Sequence, residues 1–207
     1  FFIKNIDIDV IVSKLEFIDF CTGQFIKSNE IYSSDLIRDY FTGRVSFYVS
    51  GPLWNRKFLN KQDELFDPLI SNLDDWDFNL RMIYKNPKII FDNSLVVKYR
   101  IHQNSLSSKI SKLDFLELKS DYFARQKNLK FIKFESNKDY IFLKQYSKNW
   151  CKYLVRDLVS NKKKHQFFFL IKLYKMQFEL KEFSEIFRFT FGYISTNVFN
   201  KGYKFLK

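Results

Sequence analysis

The 207-residue sequence predicts a mixed α/β unit followed by an all-helical extension, on three observations. Residues up to about 110 carry short β-branched runs separated by turn residues and interrupted by helical patterns. From about Ser111 onward, apolar residues recur only at helical spacing. With 46% hydrophobic residues, a chain of this length can bury one sizeable core and still carry a helical appendage. The expected division is 1–110 and 111–207.

The elements follow in order. Val10-Ile11-Val12, continuing through Leu15, Phe17 and Ile18, is a strand. Thr22-Gly23-Gln24 then turns the chain into Phe25-Ile26, making a β-hairpin. Ser33-Ser34-Asp35 starts a helix over Leu36–Tyr40 that ends near Gly43. Val45–Val49 reads as a strand leading into the breaker pair Gly51-Pro52, and Trp54–Leu59 as a short helix. Leu73, Trp76, Leu80 and Ile83 step at helical spacing, so 71–85 is a helix stopped by Asn86-Pro87. Lys88–Phe91 and Leu95–His102 read as separate strands with the turn-forming Asp92-Asn93-Ser94 between them. Period two places Lys98, Arg100 and His102 on one face and Val97, Tyr99 and Ile101 on the other. In the extension, one stripe runs Phe142, Tyr146, Trp150, Leu154, Leu158. A second runs Phe167, Leu170, Ile171, Tyr174, Phe178, and a third Phe183, Ile186, Phe187, Phe191.

The charge balance, 35 Lys and Arg against 23 Asp and Glu, gives +12. That suits nucleic acid, an anionic membrane face or a phosphate-bearing substrate, although an AT-rich coding sequence would also enrich Lys, Phe, Ile and Asn. No helix-turn-helix, zinc-finger or RRM signature is present, so nucleic acid is not an expected partner. Cys21 and Cys151 stand far apart with no zinc-ligand spacing, and reduced thiols are expected. No run approaches the ~18 apolar residues of a membrane span, and Phe1-Phe2-Ile3-Lys4 does not read as a signal peptide. A chain that begins at Phe1 is expected to be a fragment.

The chemistry concentrates in Asp74-Asp75-Trp76-Asp77 at a helix start and in Tyr99-Arg100-Ile101-His102 on the strand beyond it. Together these offer a base, a metal ligand and an anion contact. A simpler reading stands beside it. Acidic residues in a first helical turn are stabilised by the helix dipole, by ~0.3–1 kcal/mol, and Ser71 with Asp74 has the spacing of a loose capping box. Trp76 is likewise either core or an aromatic platform for a sugar ring.

Phe66-Asp67-Pro68, Asp74-Asp75-Trp76-Asp77, Leu80-Arg81-Met82 and Tyr99-Arg100-Ile101-His102 with Asn104-Ser105 resemble, in order and spacing, the acceptor-side half of a family-2 glycosyltransferase. The resemblance covers about Asp7 to Ser108. The family usually has Glu where Asp74 stands and an acidic residue where Pro68 stands. The implied fold is a partial GT-A domain, Rossmann-like, lacking its N-terminal nucleotide-binding half. The implied activity is an inverting, hexosyl-type transfer from a nucleotide-sugar to a saccharide or lipid-linked acceptor in cell-surface polysaccharide assembly.

By that resemblance Asp75 is the general base, with Asp74 beside it. Gly51 and Trp76 contact the acceptor, Arg100 and Lys98 meet the donor diphosphate, and His102 lies near the divalent metal, Mg²⁺ or Mn²⁺. The metal-binding Asp-x-Asp of the family would precede this chain, since Asp7-Ile8-Asp9 runs straight into Val10-Ile11-Val12 and reads as the start of a strand. The chain alone is therefore expected to be inactive. The expected location is the cytoplasm, at the inner face of the cell membrane, with peripheral membrane contact through the basic helices. The alternative is a non-enzymatic amphipathic module that binds an anionic membrane surface.

Overall fold

A computed structural model describes residues 7–101 and 112–206. They form two compact units, 1–135 and 136–207. The first unit is mixed α/β around a four-stranded sheet. Its elements are β1 (Val10–Asp19), β2 (Phe25–Ser28), α1 (Leu36–Thr42), β3 (Pro52–Trp54), α2 (Arg56–Leu59), α3 (Asp74–Tyr84), β4 (Ile89–Ile101) and α4 (Phe115–Glu135).

β1 is the hub of the sheet. One edge pairs in parallel with β4 over its whole length, from Val10↔Ile89 to Asp19↔Ile101. The other edge is shared, antiparallel, by β3 opposite Val10–Val12 and β2 opposite Glu16–Ile18. Between those two partners the ladder would leave buried donors unmet, which costs about as much as a lost hydrogen bond each. Two groups fill the gap. The Ser13 N–H donates to the Gly51 carbonyl at 3.0 Å. The Leu15 N–H donates to Asn29 Oδ1 at 2.7 Å, and Asn29 Nδ2 in turn donates to the Ser46 carbonyl at 2.6 Å. Val10, Ile11 and Val12 are buried in succession, as expected of a strand covered on both faces, and burial alternates only beyond them.

Several sequence expectations hold: the hairpin, the helix closed by Gly43 in the left-handed region (φ 80°), and the helix after residue 71. Others change. Val45–Val49 is not a strand; Val45 and Phe47 are buried, but the segment turns at Tyr48, whose φ of 54° takes it off any extended path. The ladder resumes instead at Pro52, past Gly51. Asp92-Asn93-Ser94 does not divide the strand: Asp92 Oδ1 accepts the Ser94 N–H at 3.0 Å, and the three residues form an irregularity within one continuous β4. The boundary between units falls after Glu135, not at 110/111, because α4 packs on α3.

The second unit contains α5 (Asn137–Ser160), α6 (Gln166–Glu179), α7 (Phe183–Phe199) and a 3-10 turn at Tyr203–Leu206. Ser136 caps α5, its side chain accepting the Asp139 N–H at 3.3 Å. Its core is built from Leu143, Cys151, Leu158, Phe169, Leu173 and Phe189, all fully buried. Three ion pairs tie α5 to the α6–α7 corner: Lys144–Glu179 at 2.6 Å, Lys148–Glu182 at 3.0 Å and Lys152–Glu185 at 3.1 Å. Of the second and third apolar stripes read from the sequence, only Leu170 is buried in the core. Phe167, Ile171, Phe178, Phe183, Phe187 and Phe191 are exposed, while α6 buries Phe169, Leu170, Leu173 and Met176. Among the described residues no helix is long and apolar enough to cross a membrane.

Gly51 is the glycine on which the sheet depends. A Cβ built there would lie 2.2 Å from the Phe47 carbonyl oxygen and 3.0 Å from Leu15 Cδ1. Gly51→Ala is therefore expected to destabilise the first unit by about 1–3 kcal/mol, read as a lower urea midpoint at unchanged m-value.

Candidate functional site

The candidate site is the start of α3 and the loop that delivers it. Leu73 precedes the helix in the left-handed region (φ 66°), and no side chain caps it. The Ser71–Asp74 capping box is thus not formed. Ser71 is occupied elsewhere: its N–H and that of Asn72 both donate to Ser120 Oγ of α4 at 3.0 Å, and Asn72 Nδ2 reaches the Glu117 carbonyl at 3.3 Å.

Deeper along the helix, Asp77 is fully buried. Its Oδ2 accepts from Arg81 Nη2 at 3.0 Å and from Lys127 Nζ at 3.4 Å, and its Oδ1 accepts from Asn128 Nδ2 at 2.7 Å. Arg81 also donates to the Glu64 carbonyl at 2.9 Å and to the Leu65 carbonyl. Lys127 joins Asp67 at 2.7 Å and Glu64 at 3.2 Å. That contact, ahead of the Leu69 N–H, holds the Asp67 carboxyl below the usual carboxylate range. The loop from Glu64 to Asn72 is in this way clamped between α3 and α4, and Asp67 of the first motif acts as a clamp residue.

Asp74 is exposed and Asp75 half-buried, side by side in the first turn. Burial raises the Asp75 carboxyl above its ordinary range, and the Asp74 charge raises it further. The Trp76 N–H, donating to Asp75 Oδ1 at 2.8 Å, offsets only a fraction of this. The buried Tyr40 hydroxyl is pushed far up, chiefly by desolvation and next by the Asp75 charge. Trp76 is half-buried. Its Nε1 donates to the Tyr40 carbonyl at 3.1 Å, its ring meets Phe41 edge-on at 5.2 Å, and the Arg125 guanidinium lies 5.5 Å from its centroid. These contacts make Trp76 an anchor between α1, α3 and α4.

Comparisons with protein-family models, with curated proteins and with solved structures return no match.

The second half of the predicted constellation lies on β4. Lys98 and Arg100 are exposed, Lys98 standing 3.9 Å from Glu16 across the parallel pair. Tyr99 turns the other way, its ring 5.0 Å from Phe17 and 5.8 Å from Tyr48. Tyr48 bridges toward α3, where Asn79 Nδ2 donates to its carbonyl at 3.4 Å. Lys98 and Arg100 thus sit near the carboxyl ends of two parallel strands, the end at which open α/β sheets bind ligands. Asp7 and Asp9 occupy the opposite end. Asp7 pairs with Lys88, and Asp9 Oδ2 accepts the Lys88 N–H at 2.8 Å, which fixes this segment as the start of a strand.

Gly51 approaches backbone and the Leu15 side chain, and its tight packing there is sufficient reason for a glycine. His102 lies outside the described residues. Among the described residues no three of His, Cys, Asp or Glu converge as a metal-binding group, so these side chains do not by themselves form a metal centre. A groove of about 540 Å³, lined among others by Leu69, Ile70, Lys119, Phe123 and Lys127, includes none of the predicted site residues.

Two stability predictions separate the neighbouring carboxylates. Asp77→Ala strands Arg81 and Lys127 beside a buried gap and is expected to cost about 3–5 kcal/mol in denaturant unfolding. Asp75→Asn acts oppositely. Because folding raises this carboxyl's pKa, the unfolded chain ionises first as pH climbs. Stability is therefore lost as pH rises from the ordinary value of 3.8 through the folded value, and stays lost at neutral pH. The thermal midpoint of Asp75→Asn is expected to exceed that of the parent at pH 7 and to converge with it below about pH 3.

Proposed function

We propose that the chain is the acceptor-side half of an inverting glycosyltransferase of the family-2, GT-A type, acting on a nucleotide-sugar donor and a saccharide or lipid-linked acceptor. Asp75 is its general base. The observation that carries this reading is the state of Asp75: a half-buried carboxyl in the first turn of a clamped helix, its proton affinity raised even though its Oδ1 accepts the Trp76 N–H. The four sequence elements resembling that family supply the reaction class.

In the proposed reaction the Asp75 carboxylate takes the proton of an acceptor hydroxyl as that oxygen attacks the anomeric carbon. The bond from that carbon to the donor diphosphate breaks, and the diphosphate leaves with the electron pair. A carboxylate of raised pKa is a stronger base than a free one, which favours the transfer. Asp74, exposed beside it, keeps that affinity up through its own charge and is free to accept a hydrogen bond from the acceptor. Lys98 and Arg100 offset the charge that develops on the leaving diphosphate. A divalent ion, Mg²⁺ or Mn²⁺, belongs to the same proposal. Its ligands fall to His102 and to a nucleotide-binding half preceding this segment.

The test uses the polypeptide that joins this chain to its nucleotide-binding half. Asp75→Asn is expected to lower kcat on the order of 10²–10⁴-fold at nearly unchanged donor affinity, and Asp74→Asn to cost less. Near-normal turnover by Asp75→Asn would remove Asp75 as the base.

A further inference from the structure

The last helix turns an apolar face to solvent. Phe183, Phe187, Phe191, Ile194 and Val198 are each between 49% and 77% exposed. Their spacing of four, four, three and four residues keeps them on one side of α7, a stripe about 22 Å long at 1.5 Å per residue. The opposite side of α7 is already used, since Phe189 and Gly192 are buried there, and on the flank of the stripe Thr190 Oγ1 lies 2.7 Å from the Tyr174 hydroxyl of α6. The stripe continues across the corner, where the Phe178 and Phe183 rings meet at 5.6 Å, onto Ile171 and Phe167 of α6. An exposed apolar face of this extent marks an interaction surface.

Charge identifies the partner. Of the 35 Lys and Arg and 23 Asp and Glu, 15 and 5 fall in residues 136–207, so this unit carries +10 of the formal +12. Three of its five acids, Glu179, Glu182 and Glu185, are held by Lys144, Lys148 and Lys152 of α5. What borders the stripe is basic: Lys175 and Lys181 at the corner, and Lys162 and Lys201 at the far end, where Lys162 lies beside Asn197 and Asn200, all four lysines exposed. A second copy brought face to face would set these lysines against their own kind, which disfavours self-association. An anionic bilayer accommodates both features, receiving the aromatic stripe at the level of its headgroups while the lysines meet lipid phosphates.

We infer that α7, with the adjoining face of α6, is a membrane-docking surface that lies flat on an anionic lipid bilayer without crossing it. This surface is independent of the glycosyltransferase reading, and binding is measured without reference to activity.

The full chain is mixed with sucrose-loaded vesicles, either of phosphatidylcholine alone or with about one-third phosphatidylglycerol, and sedimented. Binding is expected to the anionic vesicles, to weaken as salt rises, and to be poor on phosphatidylcholine. Phe187→Ser with Phe191→Ser replaces exposed side chains at unchanged charge. It is expected to leave the far-UV circular dichroism intact and to lower vesicle affinity on the order of tenfold or more. Lys175→Gln with Lys181→Gln is expected to weaken binding and flatten its salt dependence. No sedimentation with anionic vesicles at low salt would overturn the proposal. So would binding that ignores the phenylalanine pair, which would mean attraction to lysines alone. A concentration-dependent dimer abolished by that pair, without vesicle binding, would overturn it as well and assign the face to a second copy.

Discussion

A single buried carboxylate, Asp77, holds the candidate site in place. It is fully buried and receives hydrogen bonds from three side chains on two helices: Arg81 of its own helix, and Lys127 and Asn128 of α4. A buried charge persists only when it is paired and its lone pairs are satisfied, so the folded unit must bring α3 and α4 together in one register. The same Arg81 and Lys127 grip Glu64, Leu65 and Asp67, so the loop ahead of α3 is fixed by the groups that neutralise Asp77. Ser120 finishes the task by holding the last residues before the helix. Without α4, Asp77 would keep Arg81 but lose Lys127 and Asn128, and the loop ahead of the helix would lose Ser120.

Two positions away, Asp75 meets the contrary environment. Asp77 is surrounded by cations and donors, whereas Asp75 is half-buried beside another carboxylate and near an aromatic phenol, and its proton affinity rises. Two carboxylates on one helix are thereby pushed into different roles by what surrounds them. Asp77 is held as a charge by its partners, whereas burial and the Asp74 charge disfavour the ionised form of Asp75. Trp76 between them fastens the first turn to α1 and Arg125, so the cost of leaving Asp75 uncompensated is borne by packing on both of its sides.

Much of the first unit was legible because its signals are local. The β-branched run, the turn at Thr22-Gly23-Gln24, Gly43 and the α3 periodicity each state their own conformation. The exposed and buried sides of β4 from Val97 to Arg100 followed from its alternation. What escaped was decided at long range. Val45–Val49 has a strand's composition but gives up its ladder to a turn at Tyr48 and the close approach of Gly51 to β1. Asp77 and Arg81 carried a readable signal, opposite charges four residues apart on one helix. Their partners Lys127 and Asn128, about fifty residues on, had none. In the second unit, periodicity identified the helices but not which apolar side faces inward, since α6 and α7 are aromatic on more than one side. The third stripe read from the sequence is the outer one, whereas the first ends in the buried Leu154 and Leu158.

β4 forms an outer edge of the sheet among the described strands. Among the described residues this thirteen-residue strand pairs only with β1, so its far side presents a row of backbone donors and acceptors to any chain that comes alongside. Long open edges of this kind nucleate sheet growth between molecules. The irregularity at Asp92-Asn93-Ser94 breaks the row into shorter pieces, and the exposed cations Lys98 and Arg100 repel a like copy from the longer one. The segment that made β4 look like a pair of strands in the sequence therefore acts as a gatekeeper against aggregation, and Lys98 and Arg100 help to keep the protein dispersed.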